Sequence, residues 1–196
     1  MDFIEVNSEI GQLEAVILHT PGSEIEQMTP GNIHKALYSD LLNLNIAKKE
    51  YSYFETVLSK WTKTYQVKDL LTQVLLQSSV KSELLNKVLT AENKQFLFPD
   101  LIELPADRLA GFLIEGYPYV KGVHPKEFEE ERFMLQPLYN LFFTRDASSS
   151  VYDNVLIHSM STRVRDRESY IMESIFKHLF GVSTINPKLS EGAHTE

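Results

Sequence analysis

The sequence has 196 residues, 43% of them hydrophobic and 23% charged, with a net charge of -8 and no cysteine. That apolar content suffices for one good core, or one domain with a smaller insert, and exceeds what a disordered chain carries. The acidic balance argues against a broad nucleic-acid footprint, and the lack of cysteine excludes disulfides, thiolate metal sites and cysteine nucleophiles within these residues.

The opening Met1-Asp2-Phe3-Ile4-Glu5 has an acidic flank and no apolar stretch behind it, so no secretory signal is read there. No run approaches the ~20 apolar residues that span a bilayer. A cytoplasmic protein without membrane contact is therefore expected. Leu13 to His19 is a short β-rich run stopped by Pro21-Gly22, and Thr29-Pro30-Gly31-Asn32 is a second turn, which makes residues 20–34 a surface loop. In residues 43–62, Ala47, Tyr51, Phe54, Val57, Leu58 and Trp61 recur at spacings of three and four, predicting an amphipathic helix. A brief strand at Tyr65-Gln66-Val67 completes a strand–loop–helix–strand order, hence an α/β layer.

From Leu70 to Met134 the pattern predicts helix almost throughout. Leu70, Leu71, Val74 and Leu75 form one stripe, and Leu84, Leu85, Val88 and Leu89 another. Pro105 can open a helix ahead of Leu109, Phe112 and Leu113; Gly116-Tyr117-Pro118 breaks it, and Lys126 to Met134 predicts a further helix. After Pro137 the pattern turns β-like. Asn140 to Asp146 reads as an extended run, Ser148-Ser149-Ser150 as a turn, and Val151 to His158 as a second strand. Residues 166–180 predict an amphipathic helix with Ile171, Ile175, Phe176 and Leu179 inward. The division expected is an α/β module in residues 1–67, an α-helical insert in 68–136 and a second α/β module in 137–196. The tail from Ser190 to Glu196 carries no packed element, so the chain reads as cut from a longer one.

The densest polar cluster is Asn140-Leu141-Phe142-Phe143-Thr144-Arg145-Asp146. A carboxylate beside aromatic rings suits a guanidinium, because two oxygens match its planar N–H fork and ring faces stack on it. The plainer reading is a surface ion pair, Arg145–Asp146 or Arg163–Asp166, worth ~0–1 kcal/mol. Spacing alone favours that plainer reading. Arg163, Arg165 and Arg167, at alternate positions before a helix, could hold an anion such as an α-carboxylate, or could simply balance charge at a helix start. The six histidines show no metal-ligand spacing, and only His158 lies near the polar cluster. No phosphate loop is present, and no cofactor or metal is expected.

These residues resemble a known family. Asn140 to Asp146 is similar to the N-L-[FY]-F-T-R-D motif of arginine deiminases. Ser8-Glu9-Ile10-Gly11-Gln12-Leu13 and His19-Thr20-Pro21-Gly22 resemble that family's opening strand and H-x-P-G turn, and Arg165-Asp166-Arg167-Glu168 resembles its R-x-R-E segment. The resemblance implies the N-terminal portion of an α/β pentein propeller built from ββαβ-type modules, with an inserted α-helical bundle. It also implies the reaction: a cysteine thiolate attacks the guanidinium carbon of free L-arginine, ammonia leaves, and water releases citrulline. Splitting one hard step into two is what covalent catalysis offers against a resonance-stabilised group.

By the same resemblance, Asp146 binds the guanidinium, Phe143 packs on the substrate's flat end, Asn140 and Arg165 hold the amino-acid head, and Leu37 helps cover the substrate. The chain departs from the family at Ser39-Asp40, where an acidic pair is expected, and at Glu191-Gly192-Ala193-His194, where E-G-G-D is expected. The nucleophilic cysteine and the proton-handling histidine would lie in the remaining C-terminal part of the same protein, so this chain alone should make no citrulline. Two other readings stand beside this one: related amidine chemistry (agmatine or peptidyl-arginine deimination, amidinotransfer) and a non-catalytic scaffold on the same fold. The partners implied are L-arginine and the rest of the protein; an open propeller fragment would expose apolar surface and could form homo-oligomers.

Overall fold

The computed structural model describes residues 4–31, 33 and 38–186. The first apolar run forms β1 (Ala15–Leu18), which pairs in parallel with β2 (Lys63–Gln66) in the register Ala15↔Lys63 to Leu18↔Gln66. Between them run a single helical turn, α1 (Ser23–Glu26), and the long α2 (Leu44–Leu58). Asn43 caps α2 by accepting the Ile46 N–H at 3.1 Å, satisfying one of the orphan donors of a helix start.

Residues 20–34 are not the surface loop expected. Ile25, Met28 and Leu44 form a small buried cluster, and Ile33 is buried as well. The apolar stripe of α2 also differs from expectation. Phe54, Val57 and Trp61 stay exposed, as do Ile46 and Tyr53. A two-stranded sheet offers too little surface to cover a fifteen-residue helix, so periodicity here marks a helix without marking its cover.

Four helices follow: α3 (Val67–Leu75), α4 (Ser78–Ala91), α5 (Phe98–Ile102) and α6 (Ala106–Glu115). Both predicted leucine–valine stripes are buried, and Leu109, Ala110, Leu113 and Ile114 of α6 complete the helical core. Each fully buried aliphatic side chain contributes about 1.5–3 kcal/mol relative to exposure. Gly116 ends α6 at φ +97°, the region that favours glycine. A Cβ there would stand 2.9 Å from Pro137 Cγ and 3.0 Å from Phe133 Cδ1, so the position needs glycine on two counts.

The helix expected at Lys126–Met134 is absent. Lys126–Phe128 is one 3-10 turn, and Phe133–Leu135 is strand β4, paired antiparallel with β3 (Tyr117–Pro118). Three consecutive buried residues fit a strand covered on both faces better than a one-sided helix.

The last third forms a ββαβ unit. β5 (Ser148–Val151) and β6 (Asn154–Ile157) pair antiparallel, α8 (Arg163–His178) crosses over, and β7 (Ser183–Ile185) lies parallel to β6. Here the expectations shift in register. The serine run is strand rather than turn, and the turn falls at Tyr152-Asp153, with Tyr152 at φ +52°. Residues 140–146 are not extended. The N–H groups of Leu141, Phe143 and Asp146 donate to Leu138, Asn140 and Phe143 carbonyls at 3.2, 2.9 and 3.0 Å, and Thr144–Ala147 forms the single turn α7. Successive short turns satisfy this backbone locally, so the alternation of Leu141, Phe142 and Phe143 imitates a strand without a ladder partner.

The same core runs from α3, α4 and α6 through β6 to α8, where Ile171, Met172, Ile175 and Phe176 are buried. Arg167 secures α8 to the helical block. Its side chain is 1% exposed and donates to both Glu92 carboxylate oxygens at 2.8 and 3.0 Å, and to the Leu113 and Gln136 carbonyls at 2.9 and 3.0 Å. Among the described residues, no helix is long and apolar enough to cross a membrane.

Candidate functional site

The turn of residues 140–146 is held from both sides. Leu141 and Ala147 are buried, and the Thr144 hydroxyl donates to the Ile17 carbonyl at 3.1 Å, which ties the turn to β1. On the other side His158 Nδ1–H donates to the Asp146 carbonyl at 2.9 Å, and the Ser169 hydroxyl donates to the His158 carbonyl at 2.8 Å, which ties it to α8. So the one histidine singled out near this cluster does lie there, as a backbone partner of Asp146.

This support leaves Phe143 and the Asp146 carboxylate half exposed, opposite the first turn of α8. Thr162 caps that helix by accepting the Arg165 N–H at 3.4 Å. Arg165 then meets two carboxylates. Its Nη2 donates to Asp146 Oδ2 at 2.9 Å, while Nε and Nη2 donate to Glu168 Oε1 and Oε2 at 3.0 and 2.9 Å in a fork. The surface pair Arg145–Asp146 considered from spacing does not form; Arg145 reaches the Glu9 carboxylate instead, at 3.1 Å.

Of the residues predicted for the site, Asp146 and Arg165 are brought into direct contact. Phe143 stands beside them, its ring centroid 4.2 Å from that of Phe142. Asn140 is buried at the base of the turn, its carbonyl accepting the Phe143 N–H. Leu37 lies outside the described residues.

Three residues without an assigned role also belong here. Glu168 is 1% exposed, and burial raises its carboxyl above the usual range despite the opposing pull of Arg165. Tyr38 donates to the Tyr139 carbonyl at 3.3 Å; burial raises its phenol, Arg165 opposes, and Glu168, Asp146 and Glu24 add to the rise. Glu24 is 1% exposed, accepts the Gly22 N–H at 2.6 Å and faces His19 Nε2 at 3.2 Å. The signal for Glu168 was present in the sequence, since a residue three after Arg165 on a helix shares its face. Tyr38 and Glu24 carried no such signal.

The cradle is an open face. A hollow of about 350 Å³ lies elsewhere, lined by residues including Ser23, Gln27, Glu115 and Arg132. Burial raises the Glu115 carboxyl, but its bonds to Lys68 and Ser23 outweigh that and hold it below its ordinary value of 4.5. A lowered folded value contributes stability above about pH 4.5 that is lost as pH falls through it. Chemical denaturation between pH 5 and 3 should thus show a steeper loss in the wild type than in Glu115→Gln, and equal slopes would remove Glu115 from the acid response.

The sequence profile of the arginine deiminase family matches residues 117–186, which include the 140–146 turn, Arg165 and Glu168. The arginine deiminase of Limosilactobacillus reuteri (strain DSM 20016) is 31% identical over 189 residues, covering 89% of this chain and 46% of that protein. Those of Oenococcus oeni (strain ATCC BAA-331 / PSU-1) and Metamycoplasma hominis are each 32% identical, over 194 and 186 residues, covering 89% of this chain and 46% and 44% of theirs. This chain is similar in sequence to these arginine deiminases. It matches the N-terminal part of these proteins and spans about half their length. The arginine deiminase likeness extends well beyond the seven-residue turn, over 89% of this chain.

Proposed function

We propose that these residues form part of the substrate pocket of an arginine-deiminase-like hydrolase, which converts L-arginine to citrulline and ammonia. The contact between Asp146 and Arg165 carries the reading, since it sets an anion and a cation side by side on one open face. Asp146 accepts the substrate guanidinium, Phe143 covers its flat end, Arg165 and Asn140 take the amino-acid head, and Leu37 helps cover the substrate. In this reading residues 1–67 and 137–196 are the first two modules of a pentein propeller and residues 68–136 its helical insert; the β5–β6–α8–β7 order supports the module type.

The chain has no cysteine, so the thiolate that attacks the guanidinium carbon is supplied from outside these residues. It forms a sulfur–carbon bond, one nitrogen leaves with a proton as ammonia, and water then displaces the sulfur to release citrulline. A carboxylate-holding arginine beside Asp146 favours a free amino acid over agmatine, which lacks the carboxylate.

Titrating ¹⁵N-labelled protein with L-arginine should perturb, in a saturable way, the amides of residues 140–146 and 163–168. Perturbation confined to other elements, or none, would overturn the assignment of this face.

A further inference from the structure

We infer that the Asp146–Arg165 contact is an exchangeable ion pair that a ligand must break, and that the exchange itself selects ligands bearing both a guanidinium and a carboxylate. The inference rests on the reading just given for Asp146 and Arg165, and adds how that site chooses its substrate.

The two ties on Arg165 are unequal. Glu168 holds it through a fork, at 3.0 and 2.9 Å, and is 1% exposed; Asp146 holds it through one bond at 2.9 Å, and its side chain is 49% exposed. A buried bidentate pair is costly to break, whereas an exposed single contact contributes little. Nη2 serves both ties, so with the Glu168 fork kept Arg165 stays in place and it is the exposed Asp146 side chain that turns away from it. The group seated on Asp146 is itself a guanidinium, the same chemistry as the ligand end proposed to sit there. The protein's own arginine fills the acceptor until a ligand displaces it.

The ligand's other end then decides the balance. L-Arginine gives Asp146 a new guanidinium and gives the released Arg165 edge a carboxylate, so one contact is broken and two are made. Agmatine gives Asp146 a guanidinium, but leaves the released edge without an anion and brings further positive charge beside it. Discrimination thus arises at both ends of the ligand, through a residue that touches only one of them.

Dissociation constants for L-arginine and agmatine in the wild type, in Arg165→Met/Glu168→Gln and in Asp146→Asn test this. The paired substitution avoids stranding Glu168 as a buried lone carboxylate; if it fails to fold, Arg165→Gln/Glu168→Gln, whose two neutral amides can bond each other, takes its place. The expected result is arginine affinity down at least about tenfold and agmatine affinity up by as much as about fivefold. Acetate should also tighten agmatine binding to the wild type, relative to chloride at equal ionic strength, by supplying the missing anion, and should not do so in the Arg165 variant. Arginine loss with agmatine unchanged or weaker, and no acetate effect, would overturn the exchange and leave Arg165 a simple carboxylate holder. Unchanged affinities in Asp146→Asn, or no binding of either ligand to the wild type, would instead overturn the underlying reading of the site.

Discussion

Replacing Arg167 with methionine is expected to lower the unfolding free energy by about 3–5 kcal/mol, the largest single effect among the changes considered. Arg167 is 1% exposed, and its partner Glu92 has a side chain only 9% exposed. Removing the guanidinium leaves that carboxylate buried without compensation, and takes donors from the Leu113 and Gln136 carbonyls. With a urea slope of ~2 kcal/mol per molar for a protein of this size, the midpoint should fall by about 1.5–2.5 M. The paired change Arg167→Met/Glu92→Leu should recover much of the loss, because it removes the stranded charge. A midpoint shift below about 0.5 M for the single change would show that the buried network contributes little. Because Arg167 lies two residues beyond Arg165 on α8, its loss should also disturb the cradle, and the recovery of arginine binding in the paired variant would separate that indirect effect from a direct one.

The second large effect concerns recognition. In Asp146→Asn the dissociation constant for L-arginine should rise about 10- to 100-fold, because charge-assisted bonds from a guanidinium contribute about 1.5–3 kcal/mol and each 1.4 kcal/mol is tenfold. Stability should change by less than about 1 kcal/mol, since the Asp146 side chain is half exposed and its pair with Arg165 is one contact. Calorimetric titration paired with denaturation checks both halves. An unchanged affinity would remove Asp146 from the binding face; a large stability loss would make it a structural residue. The opposite profiles expected for Asp146 and Arg167 are informative together, because both take part in ion pairs and only burial distinguishes them.

Much of the helical part could be read from residues alone. Leu70, Leu71, Val74 and Leu75, and the matching set on α4, sit where a 3.6-residue period puts them, because burying such a stripe needs only a neighbour, whichever it is. Gly116 and Thr162 likewise act through local geometry, one ending α6 and the other capping α8. The errors fall where pairing is non-local. Ser148 to Val151 has poor strand residues and is a strand because β6 lies alongside. Leu141 to Phe143 has good strand residues and is a turn because its backbone bonds close within three residues.

The candidate site divides in the same way. Which side chains could recognise a guanidinium and a carboxylate was set by residue chemistry in the 140–146 and 165–168 segments, and the likeness to the arginine deiminases follows from those letters. That Asp146 meets Arg165 rather than Arg145, and that Glu168 joins them, depended on α8 crossing over the hairpin and on Arg167 fixing its position. An ion pair between residues 19 apart has no local signature, because its energy depends on distance and burial that only the packed chain supplies.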